Sequence, residues 1–341
     1  MTGHRTLFIT ERGLRHQQSA LEAAPAGLDV TMLRQPTRAE LWPHLADAEF
    51  LISERTGAVD AAMISAAPHL KLILRLGSLA HDIDLQAAKA AGVIVCTQPQ
   101  PGVIMVAEHL VMQMLALAKR LREVETVALA AGDERLSRRT DEDTFAYNWS
   151  GRTDIGGLWG KDVGVLGFGE IGAELARRLR AWGCRVRYHR RRPLPAAVEA
   201  DLQISYADRS TLLAESDFLA VLLPYSAETD QSLDAAAFAH MKRGAFLVGC
   251  GSGSVIVEAD LAGALRAGHL GGAALDTYEW EPLRGDNPLR LLALEDPTAN
   301  VLLTPHTAAG APPAGTVATR AGDYAPIMRF LRGEPVENRL A

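Results

Sequence analysis

The segment Val163-Gly164-Val165-Leu166-Gly167-Phe168-Gly169-Glu170-Ile171-Gly172 constrains the fold of this chain more than any other. An apolar run leads into glycines at 167, 169 and 172, and the helical pattern AELARRLRAWG follows. A second apolar run, Cys184 to Tyr188, comes at the distance expected of a strand–helix–strand unit. Each glycine has a physical task in such a turn. Gly167 permits the tight bend, Gly169 lets a pyrophosphate approach the backbone, and Gly172 lets helix and strand pack closely. The helix then points its unpaired N–H groups at the phosphates, with Glu170 and Ile171 in its first turn. The pattern predicts a dinucleotide-binding domain.

The choice of dinucleotide is written at the end of the second strand. A carboxylate there binds the ribose 2′-hydroxyl of NAD. This chain reads Tyr188-His189-Arg190-Arg191-Arg192-Pro193, and no acid appears before Glu199. Guanidiniums suit a 2′-phosphate, to which they make charge-assisted hydrogen bonds. Arg190 and Arg191 therefore favour NADP(H), with NAD(H) as the alternative.

Strand-like and helical runs alternate on both sides of this turn. RTLFIT, LDVTML, EFLISE, LKLILRL and GVIVCT precede it; RVRYHR, FLAVLLP, AFLVGC, GAALD and NVLLTPH follow. Such alternation predicts mainly parallel sheets covered by helices. The spacing predicts one long helix over 103–130 and a final helix over 313–331. The polar, aromatic-dotted stretch 132–159 reads as a surface arm or dimer-contact loop. With 341 residues the chain suits two domains.

Composition narrows the function classes. A net charge of −6 is a poor match for a general nucleic-acid binder or an anionic membrane surface. The most apolar stretch, Leu110 to Ala118, is far shorter than the roughly 18 residues a membrane span needs. Cys96, Cys184 and Cys250 match no metal-ligand spacing and are expected as free thiols in a reducing cytoplasm. The N-terminus shows no basic segment followed by a long apolar core, so no signal peptide is expected.

The order of several longer motifs resembles the D-isomer-specific 2-hydroxyacid dehydrogenases. They are LKLILRLGSLAHDIDLQAAKAAGVIV, VAEHLVMQMLALAKRL, the glycine turn, LLAESDFLAVLLPYSAETDQSLD, MKRGAFLVGCGSG, GGAALDTYEWEPL and NVLLTPHTAAG. The resemblance implies two doubly wound parallel-sheet α/β domains with a catalytic cleft between them. Residues 1–118 plus 308–341 would form the substrate domain, and 119–307 the Rossmann-type nucleotide domain. It also implies a homodimer acting on a small-molecule substrate.

In that family a His–Glu pair relays a proton while the nicotinamide carries the hydride. The matching residues are His306, in Thr304-Pro305-His306, and Glu281, in the run from Asp276 to Pro282. Glu279 is the nearest competitor for the acid. The resemblance further implies cofactor contacts at Leu223, Pro224, Thr229, Cys250, Gly251 and Asp276. Two positions depart from the pattern. Ser252 stands where the family's substrate-gripping arginine would be, and Leu79 replaces a glycine of the carboxylate-binding turn after Gly77 and Ser78. Arg55 and Arg75, at predicted strand ends, are the candidate replacement cations. The expected function is an NAD(P)-dependent oxidoreductase of 2-oxo or 2-hydroxy acids or related hydroxy-carbonyl compounds. A non-catalytic or altered-chemistry nucleotide binder is the alternative.

Overall fold

The computed structural model describes residues 3–54, 57–130, 132, 137–310 and 316–341. The chain divides into two units, residues 1–105 with 309–341, and residues 106–308. The first crossing thus falls inside a helix, between Met105 and Val106, and not at the expected 118/119.

The first unit holds β1 (His4–Thr10), β2 (Leu28–Arg34), β3 (Phe50–Glu54), β4 (Leu72–Leu76) and β5 (Ile94–Gln98). They lie in the order β2-β1-β3-β4-β5, every pair parallel. β3 and β4 are buried along their whole length, which explains their apolar starts, Phe50-Leu51-Ile52 and Leu72-Ile73-Leu74: helices cover both faces of a central parallel strand. One face packs on Leu41, Leu45, Met63 and Ile64, the other on Ala20, Tyr324 and Ile327.

The second unit holds β6 (Asp162–Leu166), β7 (Arg185–His189), β8 (Ile204–Tyr206), β9 (Phe218–Val221), β10 (Phe246–Gly249), β11 (Gly272–Leu275) and β12 (Val301–Leu303). Their order is β12-β11-β10-β9-β6-β7-β8, again all parallel. The chain order reverses between β6 and β9, the kind of crevice where open α/β sheets bind ligands. The short β8 is not marked by any apolar run in the sequence. Aspartates start many of the covering helices: Asp60, Asp84, Asp208 and Asp234 each accept the N–H three residues on. Each such cap contributes about 1 kcal/mol.

Two predicted helices are broken. The long one is Pro101–Ala118 and Leu121–Leu129, with Arg120 between them at φ 49°. No glycine or proline marks the break. The left-handed turn is held by the Arg120 guanidinium, which reaches the Thr298 carbonyl at 2.8 Å and Asp154 at 3.1 Å. The 18-residue Pro101–Ala118 is long and apolar enough by length and composition to cross a membrane, longer than the sequence suggested. It buries Leu110, Val111, Gln113, Met114 and Leu117 in the unit, as a core helix does.

The final helix is likewise divided. Residues 313–315 lie outside the described residues. Val317–Arg320 and Ala325–Leu331 are α-helical, with a 3₁₀ turn at Ala321–Tyr324. Pro326 has no N–H to give the Gly322 carbonyl, and the Gln98 side chain donates to it instead at 2.7 Å.

Candidate active site

Nearly all the candidate residues of the second unit lie at the carboxyl edge of its sheet. After β6, Gly167 takes φ 90°, and a Cβ there would lie 2.7 Å from the Leu222 carbonyl carbon. Only glycine fits both conditions. Gly169 precedes the helix Glu170–Ala181, whose N-terminus has no side-chain cap, and a Cβ on Gly169 would meet nothing within 4 Å. Gly172 sits against the Phe168 ring, and Glu170 and Ile171 are half-buried in the first turn. Uncapped N–H groups beside open space fit a pyrophosphate.

After β7, the Tyr188 hydroxyl donates to Glu199 at 2.7 Å and accepts from the Leu194 N–H. The first acid after the arginines is therefore held by the tyrosine. Arg190 is half-buried, and Arg191 and Arg192 are exposed. After β9, the Thr229 hydroxyl donates to the Pro224 carbonyl at 2.7 Å and ties off the loop. The Leu223 carbonyl accepts from the Ser252 N–H at 2.9 Å, which joins this loop to the one after β10.

The glycines beside Ser252 are set by close approach of other backbone. A Cβ on Gly253 would lie 2.0 Å from the Tyr278 carbonyl carbon, and one on Gly251 would lie 2.7 Å from the Leu223 carbonyl oxygen. Close packing demands them. The Ser252 hydroxyl is 3.2 Å from that of Ser254.

His306 follows β12 at φ 52°, a conformation rare outside glycine. Its Nδ1 lies 2.7 Å from Glu281 Oε2. Glu281, and not Glu279, is the ring's partner; the Glu279 N–H donates instead to the buried Glu258 at 3.3 Å. Burial pushes the Glu258 carboxyl above its ordinary range. The other Glu281 oxygen accepts from the Tyr278 N–H at 3.1 Å. Asp276 is buried and brackets His306 along the chain. It accepts from the Thr304 hydroxyl at 2.7 Å, the Thr307 N–H at 3.0 Å and the Ala308 N–H at 2.9 Å.

His109, Cys250 and Asp276 bring potential metal-ligand atoms within 4.8 Å of one another. These atoms have protein partners: His109 lies 3.1 Å from the Thr304 hydroxyl, and Cys250 Sγ donates to Gln113 at 3.8 Å. Burial pushes the Cys250 thiol up and His109 down, so both favour their neutral forms. All three cysteines are free.

In the first unit, Leu79 is buried and Ser78 half-buried after β4. Arg75 is 3% exposed and its guanidinium is paired with Asp82, across the turn that carries them. Its charge is thus engaged within the protein. Arg55 lies outside the described residues. Tyr278, Thr304 and His109 escaped the sequence reading, although all three sit inside motifs that it used. Nothing local marks a hydroxyl as the partner of a distant carbonyl.

The profile of the D-isomer-specific 2-hydroxyacid dehydrogenase NAD-binding domain matches residues 111–308, more than half of the chain. The chain belongs to this family. A D-3-phosphoglycerate dehydrogenase of Mycobacterium leprae is 33% identical over 86% of this chain and 51% of its own length. The chain thus spans about half the length of the curated relatives of that type. A glyoxylate reductase of Korarchaeum cryptofilum is 30% identical over 89% of this chain and 85% of its own. A solved structure from Pyrococcus horikoshii aligns with a TM-score of 0.57 at 25% identity, covering 100% of this chain and 95% of that one. The parallel-sheet α/β architecture is that of the family.

Proposed function

We propose that this member of the family is an NAD(P)-dependent oxidoreductase, with NADP(H) favoured, acting on a 2-oxo or 2-hydroxy acid or a related hydroxy-carbonyl compound. The hydrogen bond between His306 Nδ1 and Glu281 Oε2 carries this reading. A carboxylate only accepts, so the ring proton sits on Nδ1. Nε2 is then the atom that exchanges a proton with the substrate oxygen. Glu281 keeps the tautomer and stabilises the imidazolium formed on oxidation of a hydroxyl.

When bound, the nicotinamide supplies or accepts the hydride. The chain's own part is to bind and orient. The N-terminus of the helix Glu170–Ala181, which has no side-chain cap at Gly169, would hold the pyrophosphate. Arg190, Arg191 and Arg192 would face a 2′-phosphate. Two observations support NADP(H): none of the three pairs with a carboxylate among the described residues, and Tyr188 occupies Glu199. Ser252 anchors the substrate through its hydroxyl and not through a charge. A homodimer completes the reading, supported by the exposed Phe145, Tyr147, Trp149 and Trp159; sedimentation tests it.

Cofactor absorbance, followed with both reduced cofactors against a panel of 2-oxo acids, tests the function. Glyoxylate, hydroxypyruvate and 3-phosphohydroxypyruvate head the panel, after the relatives' names. Turnover lost in His306→Ala supports the proposal. Cofactor binding without turnover of any acid rejects it in favour of a nucleotide-binding protein on the same fold.

A further inference from the structure

Four residues of the second unit close a ring of hydrogen bonds around the His306–Glu281 pair. The Tyr278 hydroxyl lies 2.9 Å from the Thr304 carbonyl oxygen. The same oxygen accepts from the His306 N–H at 3.0 Å, which closes a tight turn about Pro305, immediately before the histidine at φ 52°. His306 Nδ1 donates to Glu281 Oε2 at 2.7 Å, and Glu281 Oε1 accepts from the Tyr278 N–H at 3.1 Å. The path from Tyr278 through Thr304, His306 and Glu281 therefore returns to Tyr278.

We propose that Tyr278 is the positioning residue of the proton relay, its hydroxyl fixing the histidine's turn and its N–H fixing the glutamate. The inference rests on the relay reading given above.

The physical need for such a bracket is plain. A non-glycine residue in the left-handed region costs on the order of 1 kcal/mol or more and persists only where its surroundings over-determine it. His306 is 59% exposed and Glu281 36%, so packing alone does not hold either side chain. Tyr278 is 6% exposed and belongs to the same buried apolar cluster as Leu275, Ile256 and Val255. It thus ties two solvent-facing groups to a rigid part of the unit. Its hydroxyl also lies 3.1 Å from the Leu275 carbonyl, at the end of β11, so the one proton is shared between β11 and the segment after β12. Burial pushes the phenol up, which keeps it a donor throughout the working pH range. Asp276 reinforces the same segment from its other side, through Thr304, Thr307 and Ala308. Tyr278 differs from it in holding the glutamate as well.

The test is Tyr278→Phe, which removes one oxygen and keeps the buried ring and the N–H. With Tyr278 as positioning residue, kcat falls about 3- to 10-fold, the usual worth of one neutral hydrogen bond. The cofactor dissociation constant stays unchanged. The pH profile of kcat moves in the same direction as in Glu281→Gln, by less. The Nδ1 resonance of His306, followed with 15N-labelled histidine and assigned with His306→Ala, shifts or broadens in the full-length protein. A lower melting temperature with unchanged kcat, pH profile and His306 resonance overturns the proposal and leaves Tyr278 a packing residue. A fall in kcat with an unmoved resonance overturns it too. The resonance reports the ring without turnover, whereas His306→Ala reports the relay, so failure of one is distinguishable from failure of the other.

Discussion

His306 Nδ1 lies 2.7 Å from Glu281 Oε2 although 25 positions separate them in the chain. The helix Pro288–Glu295 and the strand β12 intervene, and the fold returns the histidine to the turn it follows from. Removing the ring should cost about 10²- to 10⁴-fold in kcat, the usual span for a general acid–base group. Glu281→Gln should cost less, since the imidazole stays in place. Neither should alter cofactor affinity, measured by fluorescence titration. Full activity in His306→Ala would put the chemistry elsewhere.

The cofactor reading makes a selective prediction. Changing Arg190 and Arg191 together to Ala should weaken NADPH by about 1–3 kcal/mol and leave NADH nearly untouched. The two dissociation constants, compared before and after, give the answer. Equal affinities in the unaltered protein would reject NADP preference at once.

Ser252→Arg should raise kcat/KM for small 2-oxo acids such as glyoxylate by about 10-fold, following the worth of a charge-assisted pair. Lower activity on the native substrate would show that another cation already fills the role. No change on any acid, with folding and cofactor binding intact, would remove position 252 from substrate contact.

Gly253→Ala should be strongly destabilising. Its Cβ would stand 2.0 Å from the Tyr278 carbonyl carbon, so the backbone of one loop must move. A loss of about 2 kcal/mol or more is expected in denaturant melts, in line with overpacking at a rigid site. A variant as stable as the parent would show that the two loops separate readily.

The buried ion cluster at the ends of β1 and β3 predicts a pH dependence of stability. Arg320 grips Glu54 through both terminal nitrogens, at 2.7 and 3.1 Å. Its Nε is 2.8 Å from Asp323 Oδ2, near enough for an ion pair, but neither atom gains a hydrogen bond. Burial therefore wins, and the Asp323 carboxyl is pushed up to about 7. The folded chain then holds a proton that the unfolded chain, with an ordinary pKa of about 3.9, has released. Since the folded state binds more protons between those values, this group's contribution falls as pH rises from about 4 to 7 and levels off above. Its slope is at most about 1.4 kcal/mol per pH unit. Asp323→Asn removes that slope, so its melting temperature relative to the parent should be higher at pH 8 than at pH 5. A difference independent of pH would mean that Asp323 is charged throughout.

The alternation of strands and helices and the glycine turn were legible in the sequence, each carried by local spacing. His306 and Glu281 were singled out by the family resemblance and not by spacing; the fold sets them 2.7 Å apart. The sequence by itself thus determined two parallel-sheet halves and a nucleotide-binding turn, because apolar periodicity and glycine sterics act within a few residues.

What tertiary structure alone decided depends on residues that are distant in the chain. The long helix breaks at Arg120, whose guanidinium reaches Asp154 and the Thr298 carbonyl besides Glu123 three residues on, and nothing near the break signals the two distant partners. The approach of Tyr278 makes Gly253 obligatory. Two acids stood close together in TYEWEP, and folding gave the histidine to Glu281, while at Glu279 it is the backbone N–H that is engaged, by Glu258. Arg75 was a candidate substrate cation at a strand end, and Asp82 holds it. Such pairings follow from which surfaces meet when helices and loops pack on a sheet, and that order is not periodic in the chain.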